Sequence, residues 1–265
     1  MNTGTNEGAA VSDTVTQTDL DRQYRREVQS RIEALAASAE AGGLDAAIAL
    51  FASAIERGGV IQAFGTGHSE AFAMEIAGRA GGLIPTKKIA LRDVVLHGDI
   101  EPGALAGSAL ERNPDIAERL YAIAGAGPDD VFVIASNSGV NGSIVGLALE
   151  AKEHGHPVVA VTSLDHTMRV EPKHPSGKRL RDVADVVIDN LAPFGDATLE
   201  LAGGIPVGAV SSITAAYIAQ LLTIGTARLI AEHGTTPPLY ISANIPGGDE
   251  HNKALELQYN ITRFA

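Results

Sequence analysis

The sequence predicts an α/β protein in three αβα layers around a doubly wound, mainly parallel sheet. Three observations predict it. Residues 60–64, 131–135 and 158–161 are short apolar runs of the kind buried on both faces of a sheet. Stripes at helical spacing lie between them, and the resulting βαβαβ order calls for parallel strands with crossover helices. Each run ends in a cluster of Gly, Ser, Thr or Asn. Ligands of such sheets bind outside the carboxyl ends of the strands, so these clusters mark a small-molecule site.

Taken in order, residues 1–20 are rich in Thr, Ser, Gly and Asn and hold few large apolar groups. Such a segment buries too little surface to offset its ordering entropy, so a disordered tail is expected, with one domain over 21–265. A helix is expected from Asp21, with Val28, Ile32, Leu35 and Ala36 on one stripe. Gly42-Gly43 ends it. Leu44, Ala47, Ile48, Phe51 and Ile55 form a second stripe, closed by Gly58-Gly59, which makes a helical hairpin.

The first strand then runs into Gly65-Thr66-Gly67-His68-Ser69 and a helix expected over 70–80. A strand feeding a glycine turn and a helix N-terminus concentrates free N–H groups and the positive end of the helix dipole at one spot. Residues 83–107 read as irregular and hold Lys87, Lys88, Arg92, Asp93, His97, Asp99 and Glu101. A helix over 116–124 and the second strand lead to Ser136-Asn137-Ser138-Gly139-Val140-Asn141-Gly142. A helix over 143–154 and a third strand follow. A fourth strand over 183–188 ends at Asp189-Asn190. Residues 201–227 carry no charge and are long enough to cross a bilayer. Gly203, Gly204, Pro206 and Gly208 break the start, and several Ser and Thr interrupt the rest, so a buried helix is the expected reading.

Composition excludes several functions. A net charge of −12 argues against nucleic acid as a partner. No membrane segment is expected. Without cysteine there is neither a disulfide framework nor a thiolate metal site. His68-x-Glu70 alone is no zinc motif, so no metal or other cofactor is expected. The N-terminus shows no basic then apolar leader pattern, and a cytoplasmic location is expected.

The two polar loops together resemble the SIS (sugar isomerase) domain: GTGHS at 65–69 and SNSG at 136–139, with a strand–helix unit between. The resemblance spans Asp21 to the C-terminus. It implies a five-stranded doubly wound sheet, a homodimer with its site near the subunit interface, and a phosphosugar ligand. It also implies that Ser136, Asn137, Ser138 and Gly139 cradle the phosphate. Asn141 stands where the family often has Ser or Thr. Ser69, with Gly65, Thr66, Gly67 and His68, helps hold the ligand. In the isomerase members an acidic residue precedes a late V-x-S-x-x-A motif. The matching stretch is 210–215, and the acidic position holds Val207, with Glu200 nearby.

One branch of this family resembles the chain further, through HPSGKRL at 174–180, the segment 188–197 and NIPGGDEHN at 244–252. That branch resembles N-acetylglucosamine-6-phosphate dehydratases. A carboxylate there removes the C2 proton of the open-chain sugar and an acid protonates the departing C3 hydroxyl, with no redox cofactor. Glu75 is the expected base, since a partly desolvated carboxylate has its pKa raised toward neutrality. The alternative is a salt bridge to Arg79, four residues on. His251 or Asp99 is the expected acid, and Glu250 an expected sugar contact. Asp249 or Asn252 is alternatively the N-cap of a last helix. An aldose–ketose isomerase and a non-catalytic phosphosugar sensor remain open as alternative functions.

Overall fold

The computed structural model describes residues 16–262. Most of the expected tail, 1–15, lies outside that range. Helix α1 (Gln17–Glu40) begins before Asp21. Thr16 and Asp19 form a capping box: the Thr16 hydroxyl accepts from the Asp19 N–H at 3.3 Å while the Asp19 carboxylate accepts from the Thr16 N–H. Among the α1 stripe residues only Leu35 is buried, whereas α2 (Asp45–Glu56) buries Ala47, Ile48, Phe51, Ala52, Ala54 and Ile55. Burying Phe51 alone contributes on the order of 2 kcal/mol.

Strand β1 (Ile61–Gly65) is buried throughout, and a helical turn over Gly67–Ser69 leads into α3 (Glu70–Ile76). The helix is shorter than expected because Ala77 is extended and Gly78 takes a φ of 75°. The region expected to be irregular, 83–107, contains the edge strand β2 (Thr86–Ile89) and the short helical turn α4 (Asp93–Leu96), and another short turn, α5 (Ala109–Arg112), follows it. Lysines at 87 and 88 disguised the strand; charge at an edge is a common guard against edge-to-edge pairing. Next come α6 (Ala117–Ala124), β3 (Val131–Ala135), α7 (Gly142–Glu153), β4 (Val158–Thr162) and α8 (Leu164–Thr167). The strand expected over 183–188 divides into a helical turn, α9 (Leu180–Val183), and β5 (Val186–Asp189).

The uncharged stretch is not one element. It opens in an antiparallel hairpin, β6 (Ala197–Leu201) with β7 (Ile205–Ala209), and continues as α10 (Ser211–Glu232). Length and composition would let α10 cross a membrane, yet Ile218, Ala219, Leu222 and Ile230 pack in the core with α2 and α3. Helix α11 (Gly248–Gln258) has Gly247 at its N-cap, with φ 77°, rather than Asp249 or Asn252. Asn252 is buried and instead pins the preceding strand-like segment, donating to the Ile241 carbonyl at 2.8 Å and accepting from its N–H at 3.0 Å.

The main sheet is all parallel, in the order β2-β1-β3-β4-β5. Its faces sort side chains by the two-residue period. Val131, Val133 and Ala135 face the layer of α2, α3 and α10, while Phe132 and Ile134 face the layer of α6 and α7. The chain leaves β1 toward β2 and returns to β3 on the other side. The ends of β1 and β3 are therefore the switch point, where Gly65 stands opposite Ala135.

Candidate ligand site at the switch point

A narrow crevice opens at that point. His68, Ser69 and Phe72 line it from the β1–α3 side, and Ser136 and Asn137 from the end of β3. Asn190 lines it from the end of β5, and Ser211, Ser212 and Ala215 from the start of α10. Its lining brings no carboxylate, ammonium or guanidinium among the described residues. What it presents are hydroxyls, amides and helix N-termini, a set that suits an anion held by N–H and O–H donors.

The two loops are fixed by backbone geometry. Gly65 has no room for a side chain: a Cβ there would stand 2.3 Å from the Ser69 carbonyl oxygen. Gly139 has φ 63°, and its N–H donates to Ser136 Oγ at 3.1 Å, closing the loop on itself. Thr66 is buried and turned away from the crevice.

Two of the three segments that carried only resemblance brace this loop. In 174–180, the Leu180 N–H donates to the Gly139 carbonyl at 2.8 Å, and just ahead of that segment the Lys173 N–H donates to the Val140 carbonyl at 3.2 Å. Arg179 holds that segment by donating to the Thr167 and Val170 carbonyls. In 188–197, Asn190 donates to Asn137 Oδ1 at 3.1 Å. Asp196 caps α10 from outside the helix, accepting from the Val210 and Ser211 N–H groups at 3.1 and 2.8 Å and from Ser211 Oγ at 2.7 Å. His166, whose Nδ1 accepts from the Gly195 N–H at 3.0 Å, and His174 both have pKa values lowered by burial.

The expected proton-transfer residues do not line the crevice. Glu75 lies on α3, one turn beyond Phe72. It pairs with Arg79 and accepts from Gln220 Nε2 of α10 at 2.6 Å, its side chain 22% exposed. The alternative salt bridge is thus present. Asp99 pairs with Arg119 at the surface, 81% exposed. His251 and Glu250 are exposed on the first turns of α11, and His251 Nε2 donates to the Leu239 carbonyl at 3.0 Å. Glu70 is bound by Arg92, which it accepts from at 2.9 and 2.5 Å, and by Lys88 at 3.3 Å. Its hydrogen bonds raise the Arg92 pKa. Val207 sits half-exposed on β7, so no acidic group stands at the isomerase position.

Sequence reasoning missed Asn190, Ser211, Ser212 and Glu111. The first lay in a recognised strand-end pair, and the serines lay in the late motif, which was read only for its missing acid. Glu111, on α5, carried no signal. It accepts from Thr66 Oγ1 at 3.0 Å and Asn141 Nδ2 at 2.5 Å, joining the two loops.

A parallel α/β sheet with a neutral, donor-rich crevice at its switch point defines a class of small-molecule binding proteins. A family model for the SIS domain matches residues 23–163. The chain belongs to the SIS domain family and, within it, to the UPF0309 proteins. A UPF0309 protein of Geobacillus kaustophilus is 37% identical over 232 residues, covering 87% of this chain and 90% of the relative. One from Listeria monocytogenes is 41% identical over 219 residues, covering 82% and 88%. Among solved structures, a phosphoheptose isomerase from Francisella tularensis is 17% identical with a TM-score of 0.47, covering 82% of this chain and 99% of that one.

Proposed function

We propose that the protein is a phosphosugar lyase that dehydrates N-acetylglucosamine 6-phosphate. The observation that carries the phosphosugar part is the crevice, where Ser69, Ser136, Asn137, Ser211 and Ser212 converge on the switch point without a competing carboxylate. Phosphate oxygens accept from such donors. The particular sugar rests on the combined motifs at 65–69, 136–142, 174–180, 188–197 and 244–252.

In the reaction, a base takes the C2 proton of the open-chain sugar. The C2 electron pair forms a C2–C3 double bond as the C3 hydroxyl leaves, protonated, as water. Glu75 is the proposed base, since its helix lines the crevice and Gln220 orients its carboxylate. His251 or Asp99 is the proposed acid. Both are exposed, and a second copy of the chain is proposed to bring one of them to the site. Ile213, Ile224 and Met74, exposed by 40, 62 and 57% on α10 and α3, offer the apolar surface for that homodimer.

The test is to incubate N-acetylglucosamine 6-phosphate with the pure protein and follow mass and proton NMR. Loss of one water with a new vinylic signal is expected. Glu75→Gln is expected to abolish turnover while ligand binding persists. Reversible isomerisation without water loss, or thermal stabilisation with the sugar intact, would replace the lyase reading by isomerase or sensor.

A further inference from the structure

The side chains that line the crevice do not all have the same thing to offer a ligand. At the end of β3 they are donors. Asn190 Oδ1 accepts from the Ala192 N–H at 2.9 Å, and a backbone N–H can only donate, so the orientation of this amide is settled. Asn190 therefore turns its Nδ2 to Asn137, which meets it with Oδ1 at 3.1 Å. The Asn137 NH2 is left on the other side of its amide, as a donor. Ser136 Oγ accepts from the Gly139 N–H at 3.1 Å, and its own proton is left to donate. Both groups suit phosphate oxygens.

The start of α10 is built the opposite way. Asp196 closes a loop that α8 holds in place: the Asp165 carboxylate accepts from the Phe194 N–H at 2.9 Å, and His166 Nδ1 accepts from the Gly195 N–H at 3.0 Å. Asp196 Oδ1 takes the Val210 and Ser211 N–H groups, and its Oδ2 accepts from Ser211 Oγ at 2.7 Å. A serine hydroxyl carries one proton. With that proton committed to Asp196, Ser211 has only lone pairs to present to the crevice it lines. Ser211 is thus the exception among the hydroxyls that converge there. An ionised phosphate also has only lone pairs, and the Asp196 charge behind Ser211 opposes it further. A hydroxyl or amide N–H is what Ser211 can pair with.

We propose that Asp196 is a positioning residue that makes Ser211 the specificity-determining acceptor of the crevice, taking a hydroxyl or amide N–H of the ligand's sugar while the phosphate lies on the Ser136 and Asn137 side. The proposal rests on the phosphosugar reading above for the identity of the ligand. Its content is discrimination: a bare phosphate gains nothing from Ser211, whereas the phosphate ester of an amino sugar or polyol gains a hydrogen bond. A site built to pair with a donor rejects the analogue that lacks it.

The experiment compares N-acetylglucosamine 6-phosphate with inorganic phosphate by calorimetry on the full chain. Ser211→Ala is expected to weaken the sugar phosphate about tenfold, one hydrogen bond's worth, and to leave inorganic phosphate unchanged. Asp196→Asn reverses the polarity. The backbone at 196 has φ 69°, which Asn tolerates, and the Asn oxygen can still accept from the two N–H groups. Its NH2 then donates to Ser211 Oγ, which frees the serine proton. The sugar phosphate is expected to weaken at least as much as in Ser211→Ala, and inorganic phosphate to bind as tightly as wild type or more so. Adding Ser211→Ala to Asp196→Asn is expected to cost no further sugar affinity, because Asp196 acts through Ser211; a merely structural role would weaken both probes together. An equal fall for both probes in Ser211→Ala, or no fall for either, would overturn the proposal and leave the phosphosugar reading standing. Loss of inorganic phosphate by folded Asp196→Asn would do the same. Wild type that binds neither probe would sink the phosphosugar reading, and this proposal with it.

Discussion

The two rims of the main sheet are furnished with similar polar residues and differ in what those residues are bound to. At the N-terminal rim they close on one another. Asp130, at the start of β3, accepts from the Val60 N–H and Gln62 Nε2, each at 2.8 Å, and from the Gly127 N–H at 3.1 Å. The His156 ring donates to the Asp130 carbonyl and accepts from the Tyr121 hydroxyl at 2.8 Å, two nitrogens and two roles. Burial raises the Tyr121 pKa, so the hydroxyl stays a donor. Gln62 Oε1 is the exception, buried and unpartnered. At the C-terminal rim fewer groups are closed off: α3 and α7 have no side-chain cap, and Ser69 and Ser212 line the crevice beside Ser211, whose hydroxyl is held by Asp196. Satisfied polar groups stitch strands together, and unsatisfied ones are those a ligand can use.

The largest effect that would break this division is at Asp130. Asp130→Ala strands two backbone N–H groups and a side-chain amide, each buried orphan costing about 1–3 kcal/mol. A loss on the order of 3 kcal/mol or more in urea denaturation is expected, with the affinity of the folded fraction for phosphosugar unchanged. A parallel fall in affinity would show that the rims are not independent. At the other rim, Gly139→Ala is expected to cost both. Its φ of 63° disfavours a side chain, by about 1–2 kcal/mol, and the new Cβ would press on Thr162 Oγ1 at 3.1 Å and Thr167 Oγ1 at 3.3 Å. Affinity is expected to fall more steeply than stability, since the strain lands in the loop proposed to hold the ligand.

The contrast also marks what was legible in the sequence. The apolar runs of β1, β3 and β4 and the loops at their ends could be read because their signals are local: period, glycine, hydroxyl. The edge strand β2 could not, because Lys87 and Lys88 direct their charge to the carbonyls of Ile123 and Ala124 and to Glu70, contacts that exist only in the fold. The hairpin β6–β7 straddles the start of the uncharged run, whose glycines signalled only a break. Glu111 was invisible for a deeper reason. Its partners Thr66 and Asn141 lie 45 and 30 residues away, and nothing in a helical turn of ordinary composition announces a long-range acceptor.

The smallest effect sharpens the comparison from the N-terminal rim. Asp185 does for β5 and β4 what Asp130 does for β3 and β1: its Oδ2 accepts from the Val158 N–H at 2.7 Å, and Lys152 donates to both carboxylate oxygens at 2.6 and 2.8 Å. Burial pushes its carboxyl pKa up, but the Lys152 ammonium and the Val158 N–H outweigh it and hold the group below its ordinary value. A carboxylate with a lowered pKa in the folded state stabilises above its unfolded pKa, and that contribution is lost as pH falls through the folded one. The side chain is 40% exposed, so solvent screening keeps the contribution within about 1 kcal/mol. Asp185→Asn is therefore expected to lower the urea midpoint slightly at pH 7. The difference from wild type should shrink to nothing on acidification below the ordinary Asp range, and ligand affinity should stay constant throughout. A difference that persists in acid would mean that the Val158 hydrogen bond, and not the charge, is what Asp185 contributes to this rim.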